Sequence, residues 1–287
     1  MTIKIEFVEK PPKESNLFWI SVSKIKTFQS CKAKYYFNYI EKLPRKDWPH
    51  IHFGKFLHEV LEFFQREIIN GNLNQDNVIL KLCFAKAYEK FKDKISKEQK
   101  DEAYTILCTF LDIRAKRRKA NLLSKPLYVE KPFNLIMEDE LLINGFIDFI
   151  QEDTDQMLHV SDYKTNKDKK YLVKDLFQLK TYSWVLFLLN EDLAKIRTSY
   201  SMLKFNFDEI VNEFVRDQVM DTADYFMQAA TEMRDEKLFR ANPSGLCKTC
   251  DYLESCKTGV DFISMLEAKK AKRDGKTRLP TFGEVDW

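Results

Sequence analysis

Residues 141–150, Leu-Leu-Ile-Asn-Gly-Phe-Ile-Asp-Phe-Ile, are apolar almost throughout yet carry an aspartate near their end. A short apolar run bounded by turn residues has the pattern of a strand buried on both faces of a sheet. An ionised carboxylate inside such a strand is costly unless a cation or strong hydrogen bonds compensate it. A polar turn over 151–156 leads into a second run, Met-Leu-His-Val-Ser-Asp-Tyr-Lys-Thr at 157–165, so 141–165 reads as a hairpin. Asp162 and Lys164 are two apart and share one face, with Tyr163 on the other. The hairpin can bring Asp148 beside Asp162. Two close carboxylates repel, and a hard divalent cation such as Mg²⁺ resolves that conflict through oxygen ligands, with the Tyr163 carbonyl on the edge of the site. Such a cation polarises a phosphate oxygen and lowers the pKa of water, and Lys164 would orient that water or neutralise charge growing on phosphorus. The competing reading is an ordinary Asp–Lys surface pair worth about 0–1 kcal/mol. It wins for Asp-x-Lys alone, and Asp148 in its apolar strand shifts the balance.

The remainder of the chain sets the frame. Ile25, Phe28, Tyr35, Tyr36 and Tyr39 recur at helical steps, which predicts a helix over 22–42, ended by Pro44 and Pro49. Further helices are predicted over 53–69, closed by Asn70-Gly71, and over 75–94 and 97–122. Residues 126–133 read as a strand, 172–190 as a helix, 198–205 as a strand and 208–237 as a long helix. This order predicts an α/β fold with a mixed central sheet flanked by helices. The expected organisation is a single domain over 1–287, with a helical insertion at 70–123, a sheet core at 124–205, a cysteine segment at 247–256 and a basic tail at 257–287. Hydrophobic residues at 44% and charged residues at 32% exclude a disordered chain. No apolar run approaches the ~20 residues of a membrane span. The N-terminus lacks the apolar core of a secretory signal, so the cytoplasm is the expected compartment and no membrane partner is expected. Six cysteines in such a compartment point to thiols or metal ligands rather than disulfides. A net charge of +3 neither announces nor excludes nucleic acid; clustering decides.

Several residues outside the hairpin are candidates. His58 lies on a predicted helix, where its neutral imidazole can complete a metal site, although a lone histidine is more often structural. Gln178 and Tyr182 share a helical face with Lys174 one turn earlier. That row would hold a substrate strand or orient Lys164, and reads equally well as a solvent-facing edge. Glu130 on the first strand is an accessory carboxylate that nothing local singles out. Cys247-Lys248-Thr249-Cys250, followed by Cys256, allows zinc, a redox pair or a cluster. Zinc and iron–sulfur both need a fourth ligand, and Cys31 ahead of an aromatic segment is either that ligand or a buried helix thiol. Cys83 and Cys108 fall on apolar helix faces and read as core thiols. Basic runs occur at 116–119, at Lys167, Lys169, Lys170 and Lys174, and in the tail at Lys269, Lys270, Lys272, Arg273, Lys276 and Arg278. The middle run follows Lys164 directly and is the one expected against phosphates. The many Tyr and Phe residues are able to stack unpaired bases, but most are more simply core.

Gly145-Phe146-Ile147-Asp148, Asp162-Tyr163-Lys164 and Gln178-Leu179-Lys180-Thr181-Tyr182, with Gly54-Lys55-Phe56-Leu57-His58 upstream, resemble in order the motifs of the RecB-like branch of the PD-(D/E)xK nucleases. Ile147 in place of proline before Asp148 is usual in that branch. The resemblance implies a restriction-endonuclease-like core. It implies Mg²⁺ or Mn²⁺ held by His58, Asp148, Asp162 and the Tyr163 carbonyl, with Asp148, Asp162 and Lys164 catalytic. It also bears on the cysteines: Cys31 with the later Cys-x2-Cys-x5-Cys is similar to the iron–sulfur staple of some RecB-like nucleases, among them AddB, the CRISPR-associated adaptation nucleases and eukaryotic exonuclease five. That likeness implies a structural [4Fe–4S] cluster on Cys31, Cys247, Cys250 and Cys256. The activity so implied is hydrolysis of DNA phosphodiesters, exonuclease action on DNA ends or single strands first, in recombination, repair or CRISPR-spacer processing. The competing class is a DNA-binding subunit that keeps the fold without cutting.

Overall fold

The computed structural model describes residues 3–10, 12, 16–72, 75–166, 168–170 and 172–273, the side chains of 272 and 273 excepted. In chain order the elements are β1 (Ile5–Phe7), β2 (Phe18–Ile20), α1 (Val22–Ser30), α2 (Lys32–Tyr35), a π-helical turn (Tyr36–Ile40), α3 (Pro49–Ile69), α4 (Asp76–Phe91), α5 (Lys97–Lys119), β3 (Lys125–Met137), β4 (Leu141–Glu152), β5 (Leu158–Lys164), α6 (Phe177–Leu189), β6 (Lys195–Met202), β7 (Asp208–Val215), α7 (Thr222–Asp235) and α8 (Lys257–Arg273). They gather into two compact units, one from Met1–Val22 and Asp47–Thr231, the other from Ser23–Lys46 and the chain beyond Glu232.

In the first unit the strands form one mixed sheet in the order β1-β3-β4-β5-β6-β7, with β2 paired parallel to β4. The β4–β5 hairpin is antiparallel. β5 and β6 run parallel, and α6 supplies the crossover that a parallel pair requires. Pro126 and Pro132 are tolerated in β3 because β1 pairs only with residues 135–137, leaving the rest of that edge without need of a donor. Phe53, Phe56, Leu57, Val60, Leu61 and Phe64 recur every three or four residues along α3 and form its apolar stripe. They pack with α4 and α5 against Val129, Phe149 and Tyr163 of the sheet. Phe64 is fully buried, and its truncation to alanine would cost about 3–5 kcal/mol. Pro49 opens α3 where its missing N–H costs nothing, and a Ser96/Gln99 capping box opens α5. Tyr163 faces the α3 side while Lys164 reaches Gln178 of α6, so strand alternation sets the two helices on opposite faces of β5.

The second unit is built on rings. Phe28 meets Tyr35 edge-on at 5.3 Å, Tyr36 packs on Phe239 at 5.1 Å, and the Tyr252 hydroxyl donates to Asn38 Oδ1 at 2.8 Å. Lys32 and Glu236 form an ion pair.

Two sequence expectations are corrected. The helix over 22–42 breaks at Cys31, whose backbone is extended. Thr27 and Ser30 turn their hydroxyls back onto the carbonyls of Ser23 and Thr27, which competes with helical continuation. The long helix over 208–237 is instead strand β7 followed by α7. Exposure alternates along Asp208–Val215, with Ile210, Asn212 and Phe214 less exposed than Val211, Glu213 and Val215, and this β-branched stretch pairs with β6. Cys83 is buried in the α3–α4–α5 core as expected, whereas Cys108 is only half-buried.

Candidate active site

The β4–β5 ladder ends where Phe149 pairs with Ser161. One step further out on each strand stand Asp148 and Asp162. Strand pairing sets their carboxyl groups side by side, close enough for each charge to act on the other. Burial first, and then the Asp162 charge, hold the Asp148 carboxyl well above the ordinary carboxylate range, with Lys164 pulling the other way. The Asp162 side chain is 2% exposed. Its Oδ2 pairs with Lys164 Nζ but accepts no hydrogen bond among the described residues.

Helix α3 closes the site from one side. His58 Nδ1 stands 3.9 Å from Asp148 Oδ2, and its ring lies edge-on to the Tyr163 ring at 6.0 Å. Burial lowers the imidazole pKa, so the ring is neutral at pH 7. Helix α6 closes the other side. Lys164 Nζ donates to Gln178 Oε1 at 3.1 Å, and Gln178 Nε2 donates to the Tyr182 hydroxyl at 2.7 Å. Burial and the charges of Asp148 and Asp162 push the Tyr182 phenol well up.

The structure therefore brings His58, Asp148, Asp162, the Tyr163 backbone, Lys164, Gln178 and Tyr182 to one place. Lys174 is exposed in the turn before α6 and is not part of that chain of contacts. Of the basic run after β5, Lys169 pairs with Asp208, and Lys167 lies outside the described residues, as do Lys276 and Arg278 of the tail. In the run at 116–119, Arg117 pairs with Glu209 and Arg118 with Asp76.

Two acidic neighbours enlarge the site. Glu62, one turn after His58 on α3, acts electrostatically on His58 and on Glu130. Glu130 adopts a left-handed backbone (φ 46) in β3, and burial, then the charges of Glu62 and Asp162, raise its carboxyl while Arg66 opposes them. Sequence reasoning missed Glu62, which only its four-residue spacing from His58 marks.

Among the described residues, no three His, Cys, Asp or Glu side chains are already drawn into a group able to hold a metal ion. The donor set nonetheless fits a hard divalent cation. It offers two carboxylates, a backbone carbonyl and a neutral imidazole, with Asp162 Oδ2 buried and met by the Lys164 ammonium alone among the described residues.

A second aspartate–histidine cluster occupies the turn end of the same hairpin. His159 Nδ1 lies 3.1 Å from Asp153 Oδ2, and His159 Nε2 lies 2.9 Å from Ser199 Oγ. Arg197 binds Asp153, Asp155 and Glu213. Burial would raise the Asp153 carboxyl, but bonds from His159, Ser124 and Arg197 hold it well below the usual range. Ser199 is fully buried, which makes the Ser–His–Asp contact a structural one.

In the second unit Cys31, Cys247, Cys250 and Cys256 line one pocket with Lys34, Phe37 and Leu253. Backbone N–H groups of Asn242, Ser244 and Gly259 donate to the sulfurs of Cys31, Cys247 and Cys256, each at 3.4 Å. Burial raises the Cys250 thiol, and the sulfurs of Cys247 and Cys31 act on it in the same direction. Four thiols in a pocket supplied with amide donors fit a thiolate-ligated metal or cluster.

Comparison with known proteins bears on the family. A family model described as the PD-(D/E)XK nuclease superfamily matches residues 19–257. A subunit of the ATP-dependent helicase/deoxyribonuclease of Streptococcus agalactiae serotype Ia is 25% identical over 183 residues, 59% of this chain and 16% of that protein. Its namesake in Streptococcus pyogenes serotype M6 is 26% identical over 156 residues, 52% and 14% of the two chains. The matched segment thus spans a minor part of these much longer relatives. A solved structure, that of SSO0001, aligns at 12% identity with a TM-score of 0.29, covering 73% of this chain and 96% of the other.

Proposed function

The chain belongs to the PD-(D/E)XK nuclease superfamily, and from that premise we propose that it hydrolyses DNA phosphodiester bonds with Mg²⁺ or Mn²⁺, as an exonuclease acting on DNA ends or single strands. The observation that carries the proposal is the meeting of Asp148 with Asp162 at the open end of the hairpin, between His58 and Lys164. His58, Asp148, Asp162 and the Tyr163 carbonyl are the cation's ligands. When bound, the cation supplies positive charge against the phosphate oxygens and makes water more acidic.

The chain's own groups do the rest. Lys164 brings an ammonium to the same place, where it stabilises charge building on a non-bridging phosphate oxygen. Gln178 fixes that ammonium and Tyr182 fixes Gln178, so the cation-rich side of the site is held by α6 before substrate arrives. His58, kept neutral by burial, remains a donor to a cation at pH 7. Cys31, Cys247, Cys250 and Cys256 hold a structural [4Fe–4S] cluster in the second unit. The streptococcal relatives are named for a helicase/deoxyribonuclease, which supports DNA as the substrate; a role in recombination or repair follows from the resemblance of the motifs alone.

The test is a digestion series on end-labelled DNA, single- and double-stranded, linear and circular, with Mg²⁺ and with Mn²⁺. Nucleotide release from linear DNA is expected, with Asp162→Ala inactive but still able to bind DNA. Full activity in Asp162→Ala would rule out this site. DNA binding without cleavage in the wild type would favour a non-cutting subunit. Anaerobically purified protein is expected to be brown, with about four iron and four sulfide per chain; a colourless, zinc-loaded protein would replace the cluster with zinc.

A further inference from the structure

Tyr163 meets the candidate site through its backbone, and its side chain leaves on the opposite face of β5. There the ring is 8% exposed, stacks on Phe149 (centroids 6.2 Å, planes 16° apart) and lies edge-on to the His58 ring at 6.0 Å. Gln65 Nε2 donates to the Tyr163 hydroxyl at 3.4 Å, and Gln65 is itself 3% exposed. Gln65 follows His58 by seven residues on α3. Two helical turns put both side chains on one face of that helix, about 10 Å apart along its axis. One helix therefore meets one residue twice, His58 edge-on against its ring and Gln65 at its hydroxyl.

A backbone carbonyl has no rotamer of its own, and its direction follows the planar peptide unit. The pairing of β5 with β4 stops at Ser161, so at Tyr163 the strand is paired only through β6, with Ser201 opposite. The side chain is then the remaining handle on that peptide. Gln65 is an expensive way to fill a core position. Its Oε1 is buried without a hydrogen-bond partner among the described residues, a cost that an apolar side chain would avoid. The hydroxyl both donates and accepts, so the pair persists in either orientation of the amide.

We propose that Gln65 is a positioning residue of the cation site: through the Tyr163 hydroxyl it fixes the β5 peptide whose carbonyl joins His58, Asp148 and Asp162 around the divalent cation. This role rests on the metal site proposed for those residues.

Mn²⁺ binding to the full chain, measured by calorimetry, tests it in the wild type, Tyr163→Phe, Gln65→Leu and the double variant, with Tm followed in parallel. Each single variant is expected to bind Mn²⁺ about fivefold more weakly, the effect of one ordinary hydrogen bond. The double variant should be no weaker than either single one. Tm should hold or rise in Gln65→Leu, which removes a buried unpaired oxygen. Unchanged Mn²⁺ affinity in both single variants overturns the proposal, as does an additive loss in the double. A role in packing alone would move Tm and leave affinity untouched, and would overturn it too. A wild type that binds no Mn²⁺ overturns the metal-site reading itself and this inference with it, an outcome distinct from wild-type binding that the variants share.

Discussion

The β4–β5 hairpin has an aspartate–histidine cluster at each end. At the turn end, His159, Asp153, Ser199, Ser124 and Arg197 answer one another donor for acceptor. At the open end, Asp148 and Asp162 face each other, an Asp162 oxygen accepts no hydrogen bond among the described residues, and Lys164 only partly offsets the charge. The residue types are the same, and the electrostatic outcomes are opposite. Asp153 is held well below the usual carboxylate range and Asp148 well above it. A closed network stabilises the fold, whereas an open one forgoes stability and, in the function proposed above, leaves oxygen atoms to a cation.

The strongest way to break this contrast is Asp148→Asn. Cleavage is expected to fall about 100-fold or more, since Asp148 is a ligand of the proposed cation and such a ligand contributes several kcal/mol to the barrier. Stability should rise by about 1 kcal/mol, because a buried like-charge pair is relieved. Digestion assays and thermal melts of the same preparation check both halves. Lost stability together with intact cleavage would reverse the assignment of the two ends.

The mirror experiment is Asp153→Asn. It breaks a half-buried ion network around Arg197 and His159, and a loss of about 3 kcal/mol is expected, read by urea unfolding, with the cleavage rate per folded molecule unchanged. The pH dependence has a definite sign. Asp153 has a native pKa below its unfolded value of about 3.9, so its contribution is complete above about pH 4 and is lost as the pH falls through the native value. The wild type should therefore lose stability over that acidic window, and Asp153→Asn should show less of this loss.

The contrast was half legible in the sequence. Alternation along β5 separates Asp162 and Lys164 from Tyr163, and the apolar run around Asp148 marks a strand in which a charge is out of place. Those two facts bring the carboxylates together. The turn-end network was not legible, because Arg197 comes from β6, whose parallel pairing with β5 is set by the α6 crossover rather than by any local pattern. Gln65 and Glu62 were invisible for a related reason. A helix stripe reads as apolar positions, and a polar residue within it announces nothing until its partner across the sheet is known. The reading of 208–237 as helix failed because Asp-Glu-Ile-Val-Asn-Glu-Phe-Val carries both periods, and pairing with β6 decided for the strand. The break at Cys31 turned on hydroxyl back-bonding by Thr27 and Ser30, which helical periodicity does not register.

The finest test of the contrast is Ser199→Ala. Ser199, His159 and Asp153 reproduce the contacts of a hydrolytic triad, with 2.9 Å from Ser199 Oγ to His159 Nε2, so distance alone would not separate the turn end from a catalytic centre. Burial does. Ser199 has no exposed surface, and its hydroxyl is also shared with Ser161 at 3.0 Å. A nucleophile must be reached by its substrate, and this one serves as a bond between neighbouring strands. Removing the hydroxyl should cost about 1 kcal/mol, one ordinary hydrogen bond, and leave cleavage of DNA at the wild-type rate. A cleavage defect larger than the stability change accounts for would mean that the two ends of the hairpin act together, and that the closed network is more than a staple.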